Sequence, residues 1–167
     1  MLSIEEVNRL LDKAESYIGT PYATPKRRDD GTYSKAGKPD LNDSLPMYFD
    51  CSGFTRWIIG QGRNKHGGRV VLPHGSYNQI IVCKPVATNP LPLDLGFSSS
   101  KKGGKINHVI INFRGANVIE ARGHRKGKDY GKVIFRPRIK WENFAGFYGW
   151  FRIGGVRDND ESLVSYT

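Results

Sequence analysis

From residue 106 onward the chain carries four short runs rich in β-branched and aromatic residues, 106–113, 118–121, 132–136 and 147–153, parted by turn formers such as Gly115, Asn117 and Gly131. Such runs predict strands. Their connections are short, which favours antiparallel pairing over the long crossovers that parallel neighbours need. Ahead of this half, Ser3 and Glu6 form a capping box, and Ile4, Val7, Leu10, Leu11, Ala14, Tyr17 and Ile18 recur at helical spacing up to Gly19. That pattern predicts an amphipathic helix over about 4–18. Helices in one half and an antiparallel sheet in the other make an α+β fold.

Between these parts, residues 23–46 hold Pro, Gly, Asp, Asn, Lys and Arg without apolar periodicity, so a long surface loop is expected there. Asp50 then precedes the mostly apolar segment 51–59, which predicts a buried second helix capped by Asp50 and ending near Gly60, with Cys51 in its first turn. The stretch 60–104 mixes Gly, Pro and Ser clusters with short apolar pieces, and predicts loops, a short helix over 76–81 and an irregular strand. Residues 157–167 repeat no apolar positions. The expected organisation is one domain over 1–156 and a polar C-terminal tail over 157–167.

No apolar run approaches the ~20 residues of a membrane span, and the first residues lack the basic-then-apolar pattern of a secretory signal. Twenty-six Lys and Arg against sixteen Asp and Glu leave a formal charge of +10, which favours polyanionic partners: nucleic acid, an anionic membrane surface or an anionic cell wall. The two cysteines, Cys51 and Cys83, lie 32 positions apart with no His near either, so no metal-ligand spacing is present and free thiols are expected.

A thiol attacks a carbonyl as the thiolate, and a helix N-terminus stabilises that anion through its free N–H groups and partial positive charge. Cys51 stands in such a place, whereas Cys83 reads as an ordinary core or surface thiol. His108 sits in the apolar run 106–111, where an imidazole needs a partner or a role. If the following turn centres near Gly115, Ile110 opposes Glu120 and His108 opposes Arg122. His108 and Glu120 then lie diagonally on one sheet face, about 7–8 Å apart at Cα. A carboxylate on one ring nitrogen would fix the tautomer and favour the imidazolium formed when the other nitrogen takes the thiol proton. Trp141, Trp150 and Phe151 read as core.

Several segments together resemble the NlpC-type peptidases, papain-like enzymes that cut peptides of the bacterial cell wall. Gly19-Thr20-Pro21-Tyr22 looks like the Gly-x-x-Tyr segment after the first helix, and Asp50-Cys51-Ser52-Gly53-Phe54 matches the nucleophile motif. Residues 72–79, Leu-Pro-His-Gly-Ser-Tyr-Asn-Gln, are similar to the piece after the nucleophile helix, and Pro92-Leu93-Asp94-Leu95-Gly96-Phe97 to the Gly-Asp-Leu piece before the base strand. His108-Val109 with Glu120 twelve positions on matches the base and third-residue spacing. The likeness covers about residues 4–136. It departs from the pattern at Glu120, where His, Asn or Gln is usual, at Leu93, where Gly is common, and in the length of the 23–46 loop.

The resemblance implies a nucleophile helix packed on a central antiparallel sheet, with Cys51 as nucleophile, His108 as base and Glu120 orienting it, Asn112 and His124 being alternatives for the third role. Tyr22, Asp50, Ser52, His74 and Gln79 are implied as substrate-binding or oxyanion residues, with no metal and no cofactor. The implied reaction is hydrolysis of peptidoglycan stem peptides, most often at the γ-D-glutamyl–diamino acid bond. The partner expected first is peptidoglycan or an anionic wall polymer, with nucleic acid second. A phage lysis or tail-associated hydrolase acting at the wall, or a domain of a longer protein, fits the lack of an export signal. Competing readings are a silent structural or binding domain on the same fold and a thioester acyltransferase on a related one.

Overall fold

The computed structural model describes residues 2–63, 66–87, 89–154 and 156; the expected tail over 157–167 lies outside the described residues. In chain order the elements are α1 (Ile4–Glu15), α2 (Cys51–Gly60), α3 (Ser76–Ile81), β1 (Cys83–Pro85), β2 (Leu95–Ser98), β3 (His108–Asn112), β4 (Asn117–Arg122), β5 (Lys132–Pro137), α4 (Ile139–Glu142) and β6 (Phe147–Ile153). The six strands form one sheet in the order β1-β6-β2-β3-β4-β5, every neighbouring pair antiparallel. The α+β architecture and the antiparallel sheet agree with the sequence reading.

Helix α1 begins where expected: the Ser3 hydroxyl oxygen accepts from the Glu6 N–H at 3.2 Å. The Glu6 carboxylate does not close a capping box, because it is engaged with Arg9 and the Arg63 N–H. The helix ends three residues earlier than its apolar spacing predicts. Tyr17 and Ile18 donate to Ala14 and Glu15, an i to i−3 pattern that tightens the last turn before Gly19 takes φ +89°.

Val7, Leu10, Leu11 and Ala14 of α1 and Phe54, Trp57, Ile58 and Ile59 of α2 pack with Val109, Ile111, Ile119, Ala121 and Val133 of the sheet in one core. On the other sheet face Ile110 and Val118 pack with Trp141 and Trp150. Alternation along β3 therefore sends Val109 and Ile111 toward the helices and Ile110 toward the tryptophans. His108 shares the parity of Ile110 and opens the strand, so it lies at the sheet end where the helix side and the tryptophan side meet.

The β3–β4 hairpin has the register inferred from sequence. Ile111 pairs with Ile119 and Asn112 with Val118, a frame that sets Ile110 against Glu120 and His108 against Arg122. Gly115 (φ 61°) and Ala116 (φ 59°) occupy the two central turn positions, the type I′ geometry that matches strand twist.

Sequence reasoning expected one irregular strand within 60–104, where the structure has both β1 and β2, and it missed α4. Strand β2 is central, and its pairing with β6 shifts register between Phe97 and Ser98. Its four residues carry Gly96, whose lack of a side chain admits Ile110 and Trp150; a Cβ there would lie 2.8 and 2.9 Å from them. Leu93, just before β2, holds φ +73° while fully buried, which accounts for the glycine usual in the resembled pattern.

Ala116 is exposed and bears the left-handed conformation without compensation from packing. Ala116→Gly should raise the unfolding free energy by about 0.5–1 kcal/mol, read from the denaturant midpoint at unchanged slope.

Candidate active site

The N-terminus of α2 is fixed by three backbone attachments. The segment 19–22 runs along the β5 edge, with Gly19 donating to Val133, Val133 to Thr20 and Tyr22 to Gly131. Phe49 then donates to Pro21 and Ala23 to Phe49, which carries the pairing to the residue before the helix cap. Asp50 N–H donates to the Gly37 carbonyl at 3.0 Å, so the long 23–46 loop is tied to the helix start; within it Arg27 and Tyr33 pair across a small hairpin. Gly53 is the contact face: a Cβ there would lie 1.8 Å from the Gly37 oxygen. The Gly of Asp50-Cys51-Ser52-Gly53 is thus required by close approach of the loop.

Asp50 caps α2, its carboxylate accepting from the Gly53 N–H at 2.5 Å and from the Ser52 hydroxyl at 3.2 Å. Burial pushes the Asp50 carboxyl above its usual range, and the Gly53 hydrogen bond works the other way. Ser52 is buried as well. Gln79 is fully buried, its amide nitrogen donating to Ser52 O at 2.9 Å and Pro73 O at 3.0 Å while its oxygen accepts from the Thr55 hydroxyl at 2.8 Å. The resemblance implied all three as substrate-binding or oxyanion residues; in the structure Asp50 and Ser52 bond to each other at the start of α2, and Gln79 ties α3 to α2. His74 is exposed, but it stands near Arg56 and Lys38 and does not line the cavity beside His108; burial first, then those two cations, lowers its pKa.

Cys51 is 7% exposed, and its Sγ lies 3.8 Å from the Asn107 carbonyl, at the start of β3. His108 pairs with Glu120, and Cys51 is near enough to influence its charge. Nε2 lies 2.5 Å from Glu120 Oε2, so Nδ1 is the ring nitrogen outside that pair. Burial, the largest influence, disfavours the imidazolium, but the hydrogen bonds and negative charges of Cys51 and Glu120 outweigh it, and the His108 pKa is raised to about 9.

Asn112, an alternative partner for His108, donates instead to Pro90 O at 3.1 Å. His124 packs against Gly131 and lines the cavity, without replacing Glu120 as the group on Nε2. Tyr22 borders the same cavity; burial, then the charges of Cys51 and Asp50, push its phenol well above the ordinary range, so it is a neutral donor beside the thiol.

Glu120 is 1% exposed and surrounded by donors that sequence reasoning did not find. Trp141 Nε1 donates to Oε1 at 3.1 Å, and Arg122 and Arg136 each bring Nη1 to 3.5 Å. Burial pushes the carboxyl pKa up; the bond and charge of His108, with Arg122 and Trp141, more than reverse it, so the pKa is lowered. The Trp141 ring also stacks on His108, centroids 5.1 Å apart and planes inclined by 25°, while both guanidiniums lie over Trp141 and Tyr130. Trp141 was read as core, which it is, yet it also orients the site. The one available signal was its aromatic identity, and the four-residue α4 is too short for a periodic pattern.

A cavity of about 320 Å³ opens beside His108, bordered by Tyr22, Ser98, Asn107, His124, Arg125 and Phe144 among others. Cys83 is free, partly buried and remote in role, its pKa pushed up to about 12 by burial and then by Asp94. No helix among the described residues is long and apolar enough to cross a membrane.

Trp141→Phe keeps an aromatic face over His108 but removes the N–H that Glu120 Oε1 accepts. A loss of at least about 1.5–3 kcal/mol in unfolding free energy is expected from urea titration.

No family sequence model matches the chain, and no curated protein sequence is similar to it. Solved structures are similar. An NLP/P60-family protein described as similar to lipoprotein, from Staphylococcus aureus, superposes with TM-score 0.55 at 20% identity over 89% of this chain and 41% of its own. The P60 domain of a Mycobacterium avium subspecies paratuberculosis antigen gives 0.58 at 19%, over 89% of this chain and 94% of its own. The peptidoglycan hydrolase RipB of Mycobacterium tuberculosis gives 0.53 at 24%, over 89% and 64%. The chain thus spans under two thirds of the first and third of these proteins and nearly all of the P60 domain. At these identities the likeness is one of architecture: the chain has the NlpC/P60 fold.

Proposed function

We propose that residues 1–156 form a cysteine peptidase of the NlpC type that hydrolyses peptidoglycan stem peptides at the bacterial cell wall, at the γ-D-glutamyl–diamino acid bond. The observation that supports this reading is the pair of His108 with the buried Glu120 carboxylate, at the strand start that the helix-start Cys51 reaches through the neighbouring Asn107 carbonyl. An inert scaffold has no need to gather those three groups.

In the proposed reaction the Cys51 proton passes to His108, and the thiolate attacks the scissile carbonyl carbon. The N–H of Cys51 and the Tyr22 hydroxyl serve as donors to the developing oxyanion. His108 then protonates the leaving amine as the C–N bond breaks, leaving Cys51 acylated. Acylation removes the thiolate charge, one of the influences that raise the His108 pKa. The imidazole is thereby freed to act as base for the water that releases the acid product. Glu120 holds the ring in one tautomer throughout and stabilises its charged form.

With purified peptidoglycan, Cys51→Ala should lower the release of free amines by about 10³-fold or more relative to the unaltered protein. Equal release from both proteins would reject the peptidase reading.

Activity should fall as pH rises through about 9, where His108 loses the proton it must deliver. Glu120→Gln retains a hydrogen-bond acceptor for Nε2 but no charge, so this alkaline limb should move to lower pH while activity below it persists. In Cys51→Ala, which lacks the thiolate, the imidazole proton NMR titration should likewise shift downward.

A further inference from the structure

Two exposed basic loops border the cavity beside His108, and the reaction outlined above uses neither. The segment 99–105, Ser-Ser-Lys-Lys-Gly-Gly-Lys, contributes Ser99 and Ser100 to the lining and carries Lys101, Lys102 and Lys105 outward. The segment 122–128, Arg-Gly-His-Arg-Lys-Gly-Lys, contributes His124 and Arg125 and exposes Arg125, Lys126 and Lys128. Neither segment contains an acidic residue, and among the described residues no Asp or Glu lines the cavity. None of these six cations forms an ion pair among the described residues; Arg122, by contrast, is engaged with Glu120.

Six unneutralised cations on two loops exceed what one carboxylate or a small anion satisfies, and both loops contribute residues to the lining of one cleft. Ammonium and guanidinium groups are pure donors matched to phosphate oxygens, and their attraction extends over a Debye length of about 8 Å. Of the aromatic rings nearby, Phe144 is the exposed one in the lining, and the tyrosines beside the loops are already engaged. Lys105 covers Tyr77 at 5.6 Å, and Arg122 and Arg136 cover Tyr130 at 5.0 and 5.6 Å. The Tyr148 hydroxyl is bonded to Gly104 O at 2.5 Å. A single-stranded nucleic acid site would instead offer several open ring faces in succession.

We propose that these loops form a docking rim for a linear phosphodiester polymer of the cell wall, of the polyol-phosphate kind, which holds the protein on the wall with the cleft against it. The choice of polymer rests on the peptidase reading; the existence of the rim does not.

The test is sedimentation with sacculi that carry covalently attached polyol-phosphate chains, and with the same sacculi after their phosphodiesters are removed by cold hydrofluoric acid. The variant combines Lys101→Ser, Lys102→Ser, Lys126→Ser and Lys128→Ser, none of which lines the cavity. The unaltered protein should bind intact sacculi about tenfold or more tightly than stripped ones at ~0.15 M salt, with affinity falling steeply as salt is added. The variant should lose that preference and its salt slope should shrink by about one per phosphate contact removed, while turnover of a short soluble stem peptide stays unchanged. Equal binding to intact and stripped sacculi would overturn the proposal, as would a variant that binds like the parent. Duplex DNA that displaces the protein from intact sacculi at equal phosphate concentration would also overturn it. Peptide turnover absent from both proteins, with the binding difference intact, would remove the peptidase reading and leave the rim standing.

Discussion

A carboxylate with 1% exposure organises the sheet end where the reactive groups meet. An isolated buried charge is costly enough that a carboxyl normally neutralises itself, so Glu120 stays ionised only because four groups converge on it. They come from different elements: His108 from β3, Arg122 from β4, Arg136 from β5 and Trp141 from α4. Each also touches another member, through the stacking of His108 on Trp141 and the guanidiniums over Trp141 and Tyr130. Loss of one partner therefore disturbs the carboxylate, the imidazole and the packing of α4 together.

The thiol reaches this cluster through a second constraint, the anchorage of the α2 start. Phe49 is paired to Pro21, Asp50 to Gly37, and Gly53 lies against the Gly37 carbonyl with no room for a side chain. Below them Ser52, Thr55 and Gln79 form a closed set of buried hydrogen bonds. A helix whose N-terminus is held this firmly can present Cys51 to the first residue of β3 within a hydrogen bond's tolerance, which is the precision that proton transfer requires. The long 23–46 loop thus contributes support to the site through its Gly37 contact.

Charge separates the interior of the site from its mouth. Inside, each cation near Glu120 is matched to it and packed over an aromatic ring; outside, the cations of segments 99–105 and 122–128 face solvent without acidic neighbours in their own segments. The first arrangement tunes an imidazole and the second addresses a partner. The two meet at Arg122, which ends β4 and opens the 122–128 segment.

Local sequence was enough to find the parts whose geometry is local. The apolar repeats and caps of α1 and α2, the short α3, and the hairpin register that sets Ile110 against Glu120 follow from periodicity and from a two-residue turn, both properties of contiguous residues. The pairing of His108 with Glu120 could be anticipated because hairpin register and strand alternation limit where each side chain points. Strands β1 and β2 and helix α4 were hidden, being three or four residues long and interrupted by Gly or Pro or too short to repeat. Only tertiary structure decided which neighbours Asp50, Ser52 and Gln79 bond to and that Trp141, Arg122 and Arg136 gather around Glu120. Burial and charge neutralisation depend on which side chains from distant segments fill the same volume, and pattern along the chain carries no record of that.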